Sequence, residues 1–311
     1  MRVGYLLSSV TQYGKLLSPD AGPPIADEYG WTCCDASTAS TELYDVIVVD
    51  NRHHCRQELE SLWSLINRQP ATLFILRVND PFVFHVSDPW YQFCASLLDR
   101  PRLHLLTPYQ PTGILSHWLA NSPGTQFVYA PFTYDRKLEL TINHHQRLKR
   151  IGVSGNQRRD LYPLRFMIQR ASKFRLSRSL FSTERLDHPG YPEKCGVPSH
   201  NLMGTSYLQW LSRFTAAFTD STIYRVELLK FREIAYAGCA PIGDLPWSMF
   251  ECPQSVFFEV FGLWDLFRFR PILRDPDTTE AAAQGYRIFM RQHRCRTHWR
   301  SVVSKAISNL L

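Results

Sequence analysis

Lys230 and Glu233 stand three residues apart at the head of Leu229–Ala237, so both fall on one face of a helix's first turn. A helix N-terminus offers unpaired N–H groups and partial positive charge, which suit a diphosphate. A lysine there adds charge, and a carboxylate one turn on can accept hydrogen bonds from ribose hydroxyls. The same spacing also makes an ordinary salt bridge on a solvated helix. Upstream, Gly155-Asn156 closes the short run Arg150–Ser154, and Arg158 and Arg159 follow it. They either compensate phosphate charge or lie on the surface of an arginine-rich chain. In the N-terminal half, Asp80 precedes Pro81 with His85 nearby. A carboxylate or histidine at a strand end is what deprotonating an acceptor hydroxyl requires, although Asp before Pro also serves as a turn or cap. Ser8-Ser9, Asp50-Asn51 and Tyr109 mark other strand ends.

The elements that must position these residues alternate. Arg2–Leu7, Tyr44–Asp50, Thr72–Val78, Leu103–Leu106 and Gln126–Ala130 read as strands, with helices at Arg56–Arg68 and around Trp90–Leu98. Continuous apolar strands separated by helices indicate a parallel sheet covered on both faces. Residues Arg136–Arg150 are polar and read as a connection. A second alternation follows: a strand from Arg150, a helix over Tyr162–Ser172, a short strand at Phe174–Leu176 and an amphipathic helix over Ser206–Phe218. The helix Leu229–Ala237 ends at Gly238, a strand fragment covers Ala240–Ile242, and a last helix runs from Thr279 to the C-terminus. The expected organisation is an N-terminal Rossmann-like acceptor domain over 1–135, a linker over 136–150, and a donor domain over 151–311. Ligands are expected in a cleft facing the carboxyl ends of the strands.

The segment Lys230-Phe231-Arg232-Glu233-Ile234-Ala235-Tyr236-Ala237-Gly238-Cys239-Ala240-Pro241-Ile242 resembles the donor-site helix of GT-B nucleotide-sugar glycosyltransferases, of the "glycosyl transferases group 1" superfamily. Arg150–Asn156 followed by Tyr162-Pro163-Leu164-Arg165 is similar to the strand, glycine loop and helix that open the C-terminal domain in one branch. Ala130–Asp135 looks like the hinge segment, with Thr133 where many members have glycine. The resemblance implies two Rossmann-like α/β domains facing each other across a cleft. It implies a donor site built from Gly155, Asn156, Arg158, Arg165, Arg225, Lys230 and Glu233, with Glu233 on the ribose, and Gly238 permitting close packing behind the helix. Many retaining members carry a second glutamate eight residues before the ribose glutamate. Arg225 stands there, so a phosphate or an acidic sugar is its expected contact. On the acceptor side, Asp80 and His85 are the candidate catalytic residues of an inverting route; a retaining route needs no such base.

Composition sets the outer limits. The chain has 311 residues, 44% hydrophobic and 20% charged, which excludes wholesale disorder. No apolar run approaches the ~18 residues of a membrane span, and the N-terminus lacks the pattern of a signal peptide, so a cytoplasmic protein is expected. The eight cysteines form no C-x-x-C pair, and His53-His54-Cys55 and His293-Cys295-His298 are weak metal candidates. Asp275-Pro276-Asp277 is the one D-x-D spacing and falls in a late turn. No metal and no cofactor are expected beyond the nucleotide sugar as substrate. Seven of the 35 basic residues are lysine and the rest arginine, for a net charge of +7. Arginine suits phosphate recognition, so the acceptor, which the sequence does not identify, is expected to be anionic, such as nucleic acid or a membrane glycolipid, with a small molecule or peptide as the alternative. Arg287, Arg291, Arg294, Arg296, Arg300 and Lys305 on the last helix either meet a membrane or pack back across the N-terminal domain. The competing classes are a nucleic-acid binder and a GT-B-like protein without catalysis.

Overall fold

Val46-Ile47-Val48-Val49 is apolar at every position and buried at every position. A strand of that kind has to be covered on both faces, and the whole architecture follows from this pattern. The structure, a computed structural model, describes residues 2–8, 26, 30–50, 53, 55–78, 87–131, 133–156, 158–187, 204–294 and 308. The chain divides into two units, the first made of Met1–Thr133 with Arg296–Leu311 and the second of Tyr134–Cys295.

The first unit contains β1 (Val3–Leu6), β2 (Thr32–Cys34), β3 (Val46–Val49), β4 (Leu73–Arg77), β5 (Leu103–Thr107) and β6 (Gln126–Tyr129). They form one parallel sheet in the order β2-β1-β3-β4-β5-β6. Its helices are α1 (Ala36–Thr41), α2 (Arg56–Arg68), α3 (Pro89–Ser96) and α4 (Ile114–Asn121). Alternate strand residues feed two cores: Val46, Val48, Leu73 and Ile75 enter one, and Ile47, Val49, Phe74 and Leu76 the other. The strands and two of the helices fall where the sequence pattern places them. β2, α1 and α4 emerge only in the structure, although α4 carries a helical stripe of Ile114, Leu115 and Trp118.

The second unit repeats the plan. Its strands β7 (Leu148–Ser154), β8 (Thr183–Leu186), β9 (Phe214–Thr219), β10 (Ala240–Gly243) and β11 (Phe258–Glu259) are parallel, in the order β11-β10-β9-β7-β8. Its helices are α5 (Pro163–Ala171), α6 (Arg175–Phe181), α7 (Gly204–Leu211), α8 (Leu229–Ala237), α9 (Arg270–Arg274) and α10 (Pro276–His293). Because β8 and β9 flank β7 on opposite sides, the winding direction reverses at β7. Ligands of doubly wound sheets bind at such a point, outside the carboxyl ends of the strands.

Several expectations are corrected here. Ser206–Phe218 is not one helix: α7 stops at Leu211, and Phe214–Thr219 is a strand buried at every residue. Its apolar run satisfies a helical spacing as well as a buried strand, and periodicity alone does not separate the two. Phe174–Leu176 is not a strand: Phe174 is the N-cap of α6, and Arg175 and Leu176 open that helix. Residues 136–150, read as a connection, pack on the second unit, and β7 already begins at Leu148. Arg147 donates to the carbonyls of Ala237 and Gly238, and buried His144 bridges Thr279 and the Gly238 carbonyl. The helix expected to reach the C-terminus is described as α10, ending at His293. It lies against β10 and α8 of its own unit, with Ala282, Ala283, Tyr286 and Met290 buried. Its arginines do not present a basic face. Arg287 is buried and donates to the carbonyls of Ala235, Tyr236 and Leu140. Arg291 pairs with Glu139 and Arg294 with Glu227. Arg296, Arg300 and Lys305 lie outside the described residues.

Gly238 ends α8 with φ +65°, and a Cβ there would sit 2.6 Å from Ile142 Cγ1. This is the close approach the resemblance implies, made by the 136–150 segment. Among the described residues no helix is long and apolar enough to cross a membrane.

Burial pushes His144 down from 6.5 to about 4, so it folds neutral, its Nε2–H donated to the Gly238 carbonyl and its Nδ1 accepting from Thr279. The unfolded chain binds the extra proton between those values, so stability falls as pH drops from 6.5 to 4. Relative to His144→Gln, the wild type should lose up to about 3 kcal/mol across that window in urea unfolding. Parallel pH profiles for the two proteins would show that His144 is not the titrating group.

Candidate functional site

The carboxyl end of β7 is Ser154-Gly155-Asn156, and Gly155 adopts φ +108°. That conformation favours glycine, and space demands it too. A Cβ at Gly155 would lie 2.8 Å from Arg165 Nη1 and 3.3 Å from Lys230 Cε. Three residues drawn from three separate stretches of sequence therefore meet within one side chain's breadth.

Each is delivered by a different element. Pro163 fixes the first turn of α5, which sets Arg165 on its inward face with 3% exposure. Its guanidinium pairs with Asp220, one residue past the end of β9, and lies 4.2 Å from the Tyr162 ring centroid. Asp220 Oδ2 also accepts from the Arg165 amide at 3.1 Å, satisfying an N–H of the helix's first turn. Burial pushes the Asp220 carboxyl up although Arg165 opposes it. Gln169, one turn on, donates to the Gly155 carbonyl at 3.1 Å and holds the loop. Its Oε1 and Arg165 Nε are buried with no hydrogen-bond partner among the described residues.

Lys230 enters from α8. Its Nζ donates to Tyr207 OH at 2.6 Å and Ser154 Oγ at 3.1 Å, lies 4.6 Å from the Tyr207 ring centroid, and stands 3.8 Å from Glu233 Oε2. Burial pushes Lys230 down to about 8 and the Glu233 carboxyl up. The solvated salt bridge considered from spacing alone is thus excluded, because both side chains are largely buried. The N-cap of α8 is Leu228, which has no side-chain oxygen to offer, and no side chain caps that end. An uncapped N-terminus beside a buried lysine, a permanent guanidinium cation and a glycine loop has the chemistry that an anion site needs.

The remaining expected residues separate. Asn156 follows the loop and its side chain accepts from the Arg158 amide. Arg158 pairs with Asp160 and is half-buried, and Arg159 is exposed. Arg225 adopts the left-handed φ +55°, pairs with Asp244 Oδ2 at 3.2 Å and stacks 5.4 Å from the Trp247 ring centroid. Asp244, past the end of β10, also accepts from the Ser221 amide and hydroxyl. Arg225 therefore sits on the same carboxyl-end surface as Lys230, engaged with a carboxylate and an aromatic ring. Asp80 and His85 lie outside the described residues, as do His54, Cys295 and His298. Among the described residues no three His, Cys, Asp or Glu side chains gather as metal ligands. Asp275 of the D-x-D spacing instead caps α10 through the Asp277 and Thr278 amides.

Asp220, Tyr207, Gln169 and Asp244 were missed from sequence. The signal for Asp220 is a carboxylate just beyond an apolar strand, invisible while Phe214–Phe218 is taken as helix. Tyr207 reads only as a core position of α7.

Neither family models nor the sequences of curated proteins match the chain. Solved structures do. A crystal structure of Anabaena HepE (Alr3699) in complex with UDP-glucose matches 99% of this chain and 100% of its own, at 10% identity and a TM-score of 0.58. A crystal structure of TarM matches 88% of this chain and 57% of its own, also at 10% identity, with a TM-score of 0.50. The fold is of the GT-B type, with two Rossmann-like α/β units.

The buried Arg165–Asp220 pair gives a direct check. Asp220→Ala leaves a buried cation uncompensated and should destabilise the protein by about 3–5 kcal/mol. Replacing both partners, Arg165→Met with Asp220→Leu, should restore most of that stability. Equal loss in the single and double variants in urea unfolding would contradict the pairing.

Proposed function

We propose that the chain is a glycosyltransferase that moves a sugar from a nucleotide-sugar donor to an acceptor hydroxyl. The observation that carries this is the meeting of Gly155, Arg165 and Lys230 at the uncapped N-terminus of α8, where β7 reverses the winding of the sheet. The GT-B fold, shared with a protein crystallised with UDP-glucose, supports it.

In this role the donor diphosphate lies against the α8 amides, the Gly155-Asn156 loop, Lys230 and Arg165. Glu233 accepts from the ribose hydroxyls, and Arg225 with Trp247 borders the sugar. The bond between the anomeric carbon and the diphosphate oxygen breaks as the acceptor oxygen bonds to that carbon. Negative charge then grows on the diphosphate, where fixed positive groups stabilise it. Because Lys230, Arg165 and the amides supply that charge, we expect turnover to survive chelation of divalent cations. In an inverting reaction the acceptor proton passes to Asp80 or His85. The acceptor is nucleic acid or a membrane glycolipid, in keeping with a sequence pI of about 9.0. The protein then works in the cytoplasm, peripheral to a membrane where the acceptor is a lipid.

A nucleoside diphosphate should raise the melting temperature far more than its nucleoside. Ligand at ~100 Kd contributes about 2.7 kcal/mol of stability. Glu233→Ala should weaken the best-binding nucleotide by roughly 1.5–3 kcal/mol in calorimetric titration while the protein stays folded. An unmoved transition with millimolar UDP, GDP, ADP, CDP and TDP would remove the donor site.

A further inference from the structure

α6 and the segment that follows β11 meet to form an edge that the donor site does not explain. α6 turns Phe181 inward, where its ring meets Trp264 and Phe267 with centroids 5.7 and 5.0 Å away. Trp264 and Phe267 belong to a 3-10 segment, Leu263–Phe269, and stack on each other at 5.5 Å. Around this anchored contact, large apolar side chains face solvent. Leu176 is 86% exposed, Phe261 75% and Trp264 70%, and Leu180 and Phe174 are exposed as well. Leu176 and Leu180 are four residues apart in α6, hence on one face of it. Soluble surfaces seldom group so many large apolar side chains without a use.

The exposed charges beside Phe174 and Leu176 are of one sign. Lys173 and Arg175 are exposed and flank Phe174 in the chain, directly before Leu176. Two of the acids here are already engaged, and Glu259, two residues before Phe261, is half-buried. Glu184 pairs with Arg150 and Arg178, and Asp265 pairs with Arg268 and accepts from the Phe261 and Gly262 amides. Projecting Leu, Phe and Trp with Lys and Arg among them is the composition of a surface that enters the headgroup boundary of an anionic bilayer. A two-fold dimer through the same patch would set Lys173 and Arg175 against their own copies, at a cost in repulsion.

We propose that this edge docks onto an anionic lipid bilayer. Leu176, Leu180, Phe261 and Trp264 enter the boundary between headgroups and acyl chains, and Lys173 and Arg175 meet lipid phosphates. Trp264 is held in place by its ring contacts before it inserts, so little side-chain freedom is lost on binding. The proposal does not depend on the donor site.

The test is cosedimentation of the full chain with vesicles of phosphatidylcholine, with and without phosphatidylglycerol. The wild type should partition at least about tenfold more strongly onto the phosphatidylglycerol vesicles, and salt should weaken this, since it screens charge over ~8 Å at physiological strength. Leu176→Ser with Phe261→Ser should lower partitioning about tenfold with an unchanged melting temperature, both side chains being exposed. Lys173→Gln with Arg175→Gln should erase the lipid preference. No binding to phosphatidylglycerol vesicles, or wild-type binding by the Leu176→Ser, Phe261→Ser protein, would overturn the proposal. So would a dimer in sedimentation equilibrium that this double variant dissociates, which would assign the patch to a second copy.

Discussion

Everything at the candidate site hangs on how α8 is held at its far end. The last turn of a helix leaves carbonyls without partners, and here Arg287 and Arg147 fill that need with buried guanidinium donors to Ala235, Tyr236, Ala237 and Gly238, with His144 beside them. Cations at a helix C-terminus are favoured by its dipole. These groups come from α10 and from the stretch before β7, so two distant parts of the chain fix one helix. With that end clamped, the opposite end can stay uncapped, and Lys230 can be kept charged in a largely buried setting.

That arrangement was half legible in the sequence. Lys230, Glu233 and Gly238 announce a helix with a polar head and a glycine end, and the structure has one. Gly155 could be read because a glycine after a β-branched run signals a turn. Arg165 could be placed on its helix by Pro163, but not in its ion pair, because Asp220 follows a strand whose residues also fit a helical stripe. The clamp itself could not be read. Nothing local marks Arg287 as a carbonyl donor rather than a surface cation, and a pattern rich in arginine invites the opposite conclusion.

The same lesson applies to charge in general. A net charge of +7 suggests a basic exterior, yet the helix with the densest arginines turns Arg287, Arg291 and Arg294 toward carbonyls and carboxylates. Composition counts cations; the fold decides which of them a partner can reach. Arg225 shows the intermediate case, a guanidinium committed to Asp244 and Trp247 but still partly open to solvent.

Every neighbouring pair of strands in both sheets is parallel. Among the described residues no hairpin therefore offers a quick local start to folding. β9 pairs with β7 only after the chain has travelled out through β8 and α7 and returned. Loop-closure entropy has to be met before such pairings contribute stability, which makes parallel sheets slow to assemble. Until β9 docks, its six apolar or small residues and the edge of β7 are open to other chains, a kinetic hazard during synthesis. The strand order that creates the ligand crevice thus also sets the stage at which this protein is most exposed to aggregation.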